Sequence, residues 1–167
     1  PLSRAPGHRA QGERDHPVML SIHKVMDYRD LRIYIAGKWE ARERLQDMRL
    51  LLQLEGYQVT SSWLDERPAE PGYVAIDGAA LRDLTEIDAC NLFILDTLDE
   101  NKTGGANVEF GYALAGSANR ALWLVGPQRN LFHALASVRF TDWSTALVVM
   151  TSEWVKTGVG KPGAWIR

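Results

Sequence analysis

Glu109 lies in the stretch Thr103-Gly-Gly-Ala-Asn-Val-Glu-Phe-Gly-Tyr-Ala-Leu-Ala115, where two glycines follow an apolar run and lead into a helical pattern. Glycines let backbone amides approach a ligand closely, and the start of a helix favours negative charge. Gly111, Ala113 and Ala115 keep the surroundings of Glu109 thin, and Val108 and Phe110 flank it. Helical periodicity asks for a small or apolar residue at this position, so a carboxylate there has the look of a working group. The competing reading is a glutamate stabilised by the helix dipole, and spacing alone does not separate the two. The stretch is not a P-loop, because no Gly-Lys-Ser/Thr follows, and it lacks the glycine spacing of a dinucleotide fingerprint.

The elements that must position this residue can be read from hydrophobic periodicity. Leu31-Arg-Ile-Tyr-Ile-Ala36 is short, β-branched and ended by Gly37, which predicts a strand. Ala41, Leu45, Met48 and Leu51 or Leu52 recur at helical spacing up to a stop at Gly56. Tyr57 to Ser62 reads as a second strand, and Asp65 to Gly78 as a loop long enough to act as a lid. Ala79 to Ala89 reads as a helix with Leu81, Leu84 and Ile87 on one face. Asn91 to Asp96 is almost wholly apolar, as a strand covered on both faces should be. A glycine-rich loop over 97–105, a helix over Ala106–Gly116 and a buried strand at Ala121–Val125 follow. A short helix from Asn130, a brief strand at Val138–Phe140 and a last helix from Asp142 complete the pattern. Strands alternating with helices imply a parallel sheet with helices on both faces, and ligands at the carboxyl ends of its strands. Residues 1–30 read as a flexible leader and 31–167 as a single domain.

Bulk composition narrows the function classes. The chain is 46% apolar and 24% charged, with a net charge of −2, so no basic field draws it to a polynucleotide. No run reaches the roughly 18 apolar residues of a membrane span. One cysteine, Cys90, excludes an intrachain disulfide and multi-cysteine zinc sites, and such usage fits the cytoplasm. No metal site is expected.

Four stretches, in order, carry a resemblance to a known family: Ile33-Tyr-Ile-Ala-Gly37, Asp83-Leu84 with Cys90-Asn-Leu92, Glu109-Phe-Gly-Tyr-Ala-Leu114, and Pro127-Gln-Arg-Asn-Leu-Phe-His133. Together they resemble the nucleoside 2-deoxyribosyltransferase family, including its branch of 2′-deoxynucleoside 5′-monophosphate N-glycosidases. Asp83 stands 26 residues before Glu109, an interval typical of the transferases. The likeness runs from about Leu31 to Trp143. It implies a flavodoxin-like, three-layer α/β/α sandwich around a five-stranded, mostly parallel sheet. It also implies a homodimer or higher homo-oligomer with shared active sites, a small-molecule nucleoside or nucleotide substrate, and no cofactor.

The resemblance further implies roles. Glu109 would attack C1′ of the sugar to form a covalent deoxyribosyl ester, as in retaining glycoside hydrolysis. Asp83 would hold or protonate the departing base, and Tyr34 would donate to Glu109 and orient it. Thr103, six residues before the nucleophile, matches the hydroxyl residue that holds phosphate in the monophosphate hydrolases, and Gly104 and Gly105 would add backbone amides. Gly37, Lys38, Trp39, Asn107 and His133 complete the expected substrate-binding set, with Trp39 a base-side wall and His133 a donor from the next subunit. Each role has a plainer rival: Asp83 as an exposed helix charge beside Arg82, Tyr34 and Trp39 as core aromatics, His133 as a surface histidine. Glu40 stands where the hydrolases place an arginine, and Asp99 and Glu100 offer a transferase-like acid under another loop alignment. Water and a second base both remain open as acceptors. A non-catalytic nucleotide-binding or sensing domain of the same fold is the alternative from a different class, and an NAD-cleaving module a third.

Overall fold

A computed structural model describes residues 31–66, 76–99 and 104–152. Five strands, β1 (Arg32–Ala36), β2 (Gln58–Val59), β3 (Leu92–Asp96), β4 (Ala121–Val125) and β5 (Val138–Phe140), form one sheet in the order β2-β1-β3-β4-β5. All four pairings are parallel. This is the doubly wound order in which the chain reverses direction between β1 and β3. Four α-helices supply the crossovers and the last layer: α1 (Arg42–Leu54), α2 (Ile76–Ala89), α3 (Gly105–Ala115) and α4 (Trp143–Thr151).

Strand periodicity decides which helix covers which face. Tyr34 is in register with Phe93, their rings stacked at 5.6 Å, and Phe110 of α3 packs on Phe93 at 6.2 Å. That face belongs to α2 and α3. On the opposite face, Asp96 meets Arg44 of α1 and Trp143 of α4. The result is a three-layer α/β/α sandwich. Every residue of β3 is buried, and Ile33, Tyr34, Ile35 and Ala36 of β1 are fully enclosed. The apolar character of Asn91–Asp96 thus had the reason read from it.

Several elements differ from expectation. The second strand pairs only at Gln58 and Val59, and Ser62–Asp65 is a 3-10 turn. Side chains take over the ladder here: Ser61 Oγ accepts from the Ile35 amide at 2.6 Å, and Trp63 Nε1 donates to the Ile35 carbonyl at 2.8 Å. α2 begins at Ile76, three residues before its predicted start. Of Leu81, Leu84 and Ile87, which share one helix face, Leu81 is 67% exposed and Ile87 alone is fully enclosed. The short helix after Asn130 is a 3-10 segment, Leu131–Leu135, capped by the Asn130 side chain. The leader over 1–30 and most of the proposed lid, 67–75, lie outside the described residues.

The tips of β3 and β4 are held together closely at Gly126. Its φ of +112° lies in the region that favours glycine, and a Cβ there would sit 2.8 Å from the Leu98 nitrogen and 2.9 Å from the Thr97 carbonyl carbon. These are backbone atoms that cannot step aside. Gly126→Ala is therefore expected to lower stability by about 2–4 kcal/mol. Urea unfolding with an unchanged midpoint would refute the steric account.

Candidate active site

Glu109 falls in the second turn of α3, just beside the stripe Ala106, Phe110 and Ala113 that packs into the core. Gly104 precedes the helix at φ +81°, which a side chain tolerates poorly, and nothing stands where a Cβ would project from Gly104 or Gly105. α2 and α3 lie side by side, and the Tyr112 hydroxyl on α3 donates to Asp88 on α2 at 2.7 Å. Three residues before Tyr112 on α3 and five before Asp88 on α2, Glu109 and Asp83 both act electrostatically on Tyr34, which lies fully buried at the middle of β1.

The three groups act on one another electrically. Burial, chiefly, and then the Asp83 charge push the Glu109 carboxyl up to about 7, against a smaller lowering by Tyr34. Burial lifts Asp83 to about 6; Arg82 opposes this and Glu86 adds to it. The Tyr34 hydroxyl is raised far above the ordinary phenol value by burial and by Glu109, Asp83 and Glu86. Although it lies within the influence of Glu109, the hydroxyl closes no aligned hydrogen bond. Asp83 Oδ1 is likewise buried without a partner. Buried polar atoms are ordinarily satisfied, so the unpaired Tyr34 and Asp83 oxygens mark these two groups as candidates for function.

The remaining expected residues divide. Asn107, two residues before Glu109 on α3, lies part-buried with its Oδ1 2.9 Å from His133 Nε2. Asn130 Nδ2 joins the same pair, and the Arg129 amide donates to His133 Nδ1. Nε2 thus meets both the Asn107 acceptor and the Asn130 donor at 2.9 Å, and burial, chiefly, with Arg129 lowers the imidazole pKa. His133 is 1% exposed and rests edge-on against Phe110 at 5.5 Å. It is thus a buried internal link in its own chain and not a surface histidine. Asn107 and His133, with Asp96, Thr97, Arg129 and Asn130, line a cavity of about 410 Å³ beside α3.

Gly37 has a packing reason to be glycine: a Cβ there would meet Leu45 Cδ1 at 2.5 Å and Asp96 Cβ at 3.5 Å. Lys38 pairs loosely with Glu40 at 3.7 Å. Trp39 is 40% exposed, carries the Arg42 guanidinium 4.6 Å from its ring centre and tilts against Trp63. Thr103 lies outside the described residues. Reading the sequence missed Glu86, although it stands one turn after Asp83 on the same helix face and could have been found by that spacing. No group of three or more His, Cys, Asp or Glu side chains among the described residues is arranged to hold a metal.

The raised carboxyl carries a stability consequence. From the ordinary 4.5 up to about 7 the folded state holds the Glu109 proton more tightly than the unfolded chain does, so stability falls as pH rises through this window and stays low above it. Glu109→Gln should make the protein roughly 1–3 kcal/mol more stable than the parent at about pH 8, with the gap closing near pH 4.5. Denaturation curves that show no gap at either pH would contradict this placement of the group.

Neither a family model nor a curated protein sequence matches the chain. Solved structures do. A CMP N-glycosidase from Clostridium botulinum, BcmB, superposes with a TM-score of 0.52 at 20% identity, over 71% of this chain and 97% of that one. A 2-deoxyribosyltransferase from Bacillus psychrosaccharolyticus superposes with a TM-score of 0.58 at 18% identity, over 70% of this chain and 90% of that one. At these identities the likeness is one of architecture: the chain has the flavodoxin-like α/β/α fold that both of these enzymes share.

Proposed function

We propose that the protein is an enzyme of the nucleoside 2-deoxyribosyltransferase family that cleaves the N-glycosidic bond of a 2′-deoxyribonucleoside or its 5′-monophosphate. The single observation that carries this reading is the pair of half-buried carboxyls, Glu109 and Asp83, both held above the ordinary range and both acting on the buried Tyr34 hydroxyl. The sequence stretches around Tyr34, Asp83 and Glu109, and a fold shared with a CMP N-glycosidase and a 2-deoxyribosyltransferase, support it further.

In this mechanism the Glu109 carboxylate attacks C1′ as the C1′–N bond breaks, and the bonding pair leaves with the base. Asp83 passes its proton to the departing nitrogen. Water, or a second base, then attacks C1′ of the sugar ester and returns a proton to Asp83, freeing Glu109. Tyr34 steadies the carboxylate while it carries charge. A productive pair therefore holds a single proton, which in the free site rests mainly on Glu109, the group with the higher pKa, and must pass to Asp83 before Glu109 attacks in its ionised form.

Leu131, Phe132 and Leu135 are 73%, 57% and 55% exposed on the segment that carries His133, and an apolar strip of this kind supports assembly into a homo-oligomer through it. Light scattering that finds only monomer at micromolar concentration would count against that assembly.

Activity is tested by incubating the protein with deoxynucleosides, dNMPs and CMP, with and without a free acceptor base. Base release without acceptor marks a hydrolase; dependence on acceptor marks a transferase. Because the free pair keeps one proton between about 6 and 7, kcat/KM should peak in that window and fall on both sides. Glu109→Gln should lower kcat/KM by roughly four orders of magnitude and Asp83→Asn by two to three. Full activity in Glu109→Gln, with its fold intact, would eliminate the mechanism.

A further inference from the structure

Five polar side chains are buried among the described residues: Ser61, Asp96, Thr97, Arg120 and His133. Four of them hold strands, loops and layers together. Ser61 accepts from the Ile35 amide, Asp96 gathers Arg44 and Trp143, and Thr97 and Arg120 donate to backbone carbonyls. His133 is spent differently. It alone of the five engages a side chain on α3, the helix that carries Glu109.

The start of α3 is weakly fastened by its own residues. Gly104, at the N-cap, has no side chain with which to cap the helix, and Gly105 follows it. The amides of Asn107 and Val108 both turn to the single Gly104 carbonyl, at 3.0 and 3.1 Å. Ala106 packs inward with only a methyl group, and Val108 is 70% exposed. A helix end that relies on its backbone frays within the first turn, and Glu109 stands immediately beyond that turn. The hold comes from outside the helix. Asn107 Oδ1 lies 2.9 Å from His133 Nε2 and 3.3 Å from Asn130 Nδ2. Both partners are themselves fixed: the Arg129 amide donates to His133 Nδ1 at 3.3 Å, and Asn130 Oδ1 accepts from the Phe132 amide at 2.9 Å. The imidazole also rests edge-on against Phe110, the residue after Glu109.

We propose that His133 is a positioning residue for Glu109, clamping Asn107 through Nε2 and bearing on Phe110 so that the first two turns of α3 hold the carboxylate in one orientation. Asn107 and Phe110 bracket Glu109, two residues before it and one after. A side chain that acts through such a clamp changes how often the carboxylate is correctly aimed, so it moves kcat and leaves KM nearly alone. A histidine that touched the substrate would raise KM instead. The proposal rests on the N-glycosidase reading, and its test includes a measurement that does not.

The test compares base release by the parent with two variants. His133→Phe keeps a ring against Phe110 but has no nitrogen for Asn107, and His133→Gln keeps an amide that can reach the place of Nε2. His133→Phe should lower kcat by about 10- to 100-fold with KM within about threefold of the parent, and His133→Gln should bring kcat back to within about fivefold. Should His133→Phe fail to fold, Asn107→Ala removes the same bond from its other end and should show the same split. An unchanged kcat, a KM raised about tenfold or more, or a glutamine variant no better than phenylalanine would each overturn the assignment. Should the parent release no base from any deoxynucleoside, dNMP or CMP, the N-glycosidase reading fails and stability against pH decides on His133 alone. The extra stability that Glu109→Gln confers at about pH 8 should then shrink to roughly half or less in the His133→Phe or Asn107→Ala background, because a loosened first turn lets water reach the carboxyl. A gain of full size in that background overturns the clamp.

Discussion

Taking a carboxylate out of water costs several kcal/mol unless cations and N–H donors replace the lost solvent. The sheet meets that requirement differently on its two faces. On one, Asp96 at the end of β3 receives Arg44 at 2.7 Å, Trp143 Nε1 at 2.5 Å and the Leu98 amide at 3.2 Å. This joins α1, α4 and the loop after β3 at one buried point. On the other face Glu109 is raised by burial and by the Asp83 charge against only a smaller lowering from Tyr34, and Asp83 Oδ1 has no hydrogen-bond partner. The satisfied carboxylate is an architectural joint. The raised pair holds its protons toward the neutral range, which is the condition for exchanging them with a substrate.

The two faces are connected by the register of a single strand pair. Tyr34 opposite Phe93 fixes the height at which Phe110, and with it the whole of α3, settles on the sheet. His133 closes the far end of this aromatic row against Phe110 while its Nε2 holds Asn107. Glu109 lies on the same helix between Asn107 and Phe110, so its aim is set from both sides. A histidine enclosed this way contributes through the helix it fixes rather than through solvent.

Much of this was legible in the residues because burial on two faces and helical crossovers leave strong periodic marks. β1, β3 and β4, and the alternation that demands a parallel sheet, could be read directly. The residues around Glu109 and Asp83 stood out through their resemblance to a family and through the anomaly of a carboxylate among small residues. Other features had no such mark. The truncation of β2 depends on Ser61 and Trp63 side chains standing in for backbone, which no propensity encodes. The enclosure of His133 depends on Asn107 and Asn130 meeting it from separate elements.

The strand order has a bearing on how the chain reaches this state during synthesis. β1 is made first among the strands, yet it ends second in the sheet, wedged between β2 and β3. Its Arg32 amide finds Asn91 Oδ1 only 59 residues further along. As the polypeptide emerges, Ile33 to Ala36 must persist as an apolar segment with an open hydrogen-bonding flank until β3 arrives. Long-range parallel pairing of this kind is slow and leaves nascent chains vulnerable to association. The same centrality that encloses Tyr34 so completely thus makes the first strand dependent on prompt translation, or on shelter, of the sixty residues behind it.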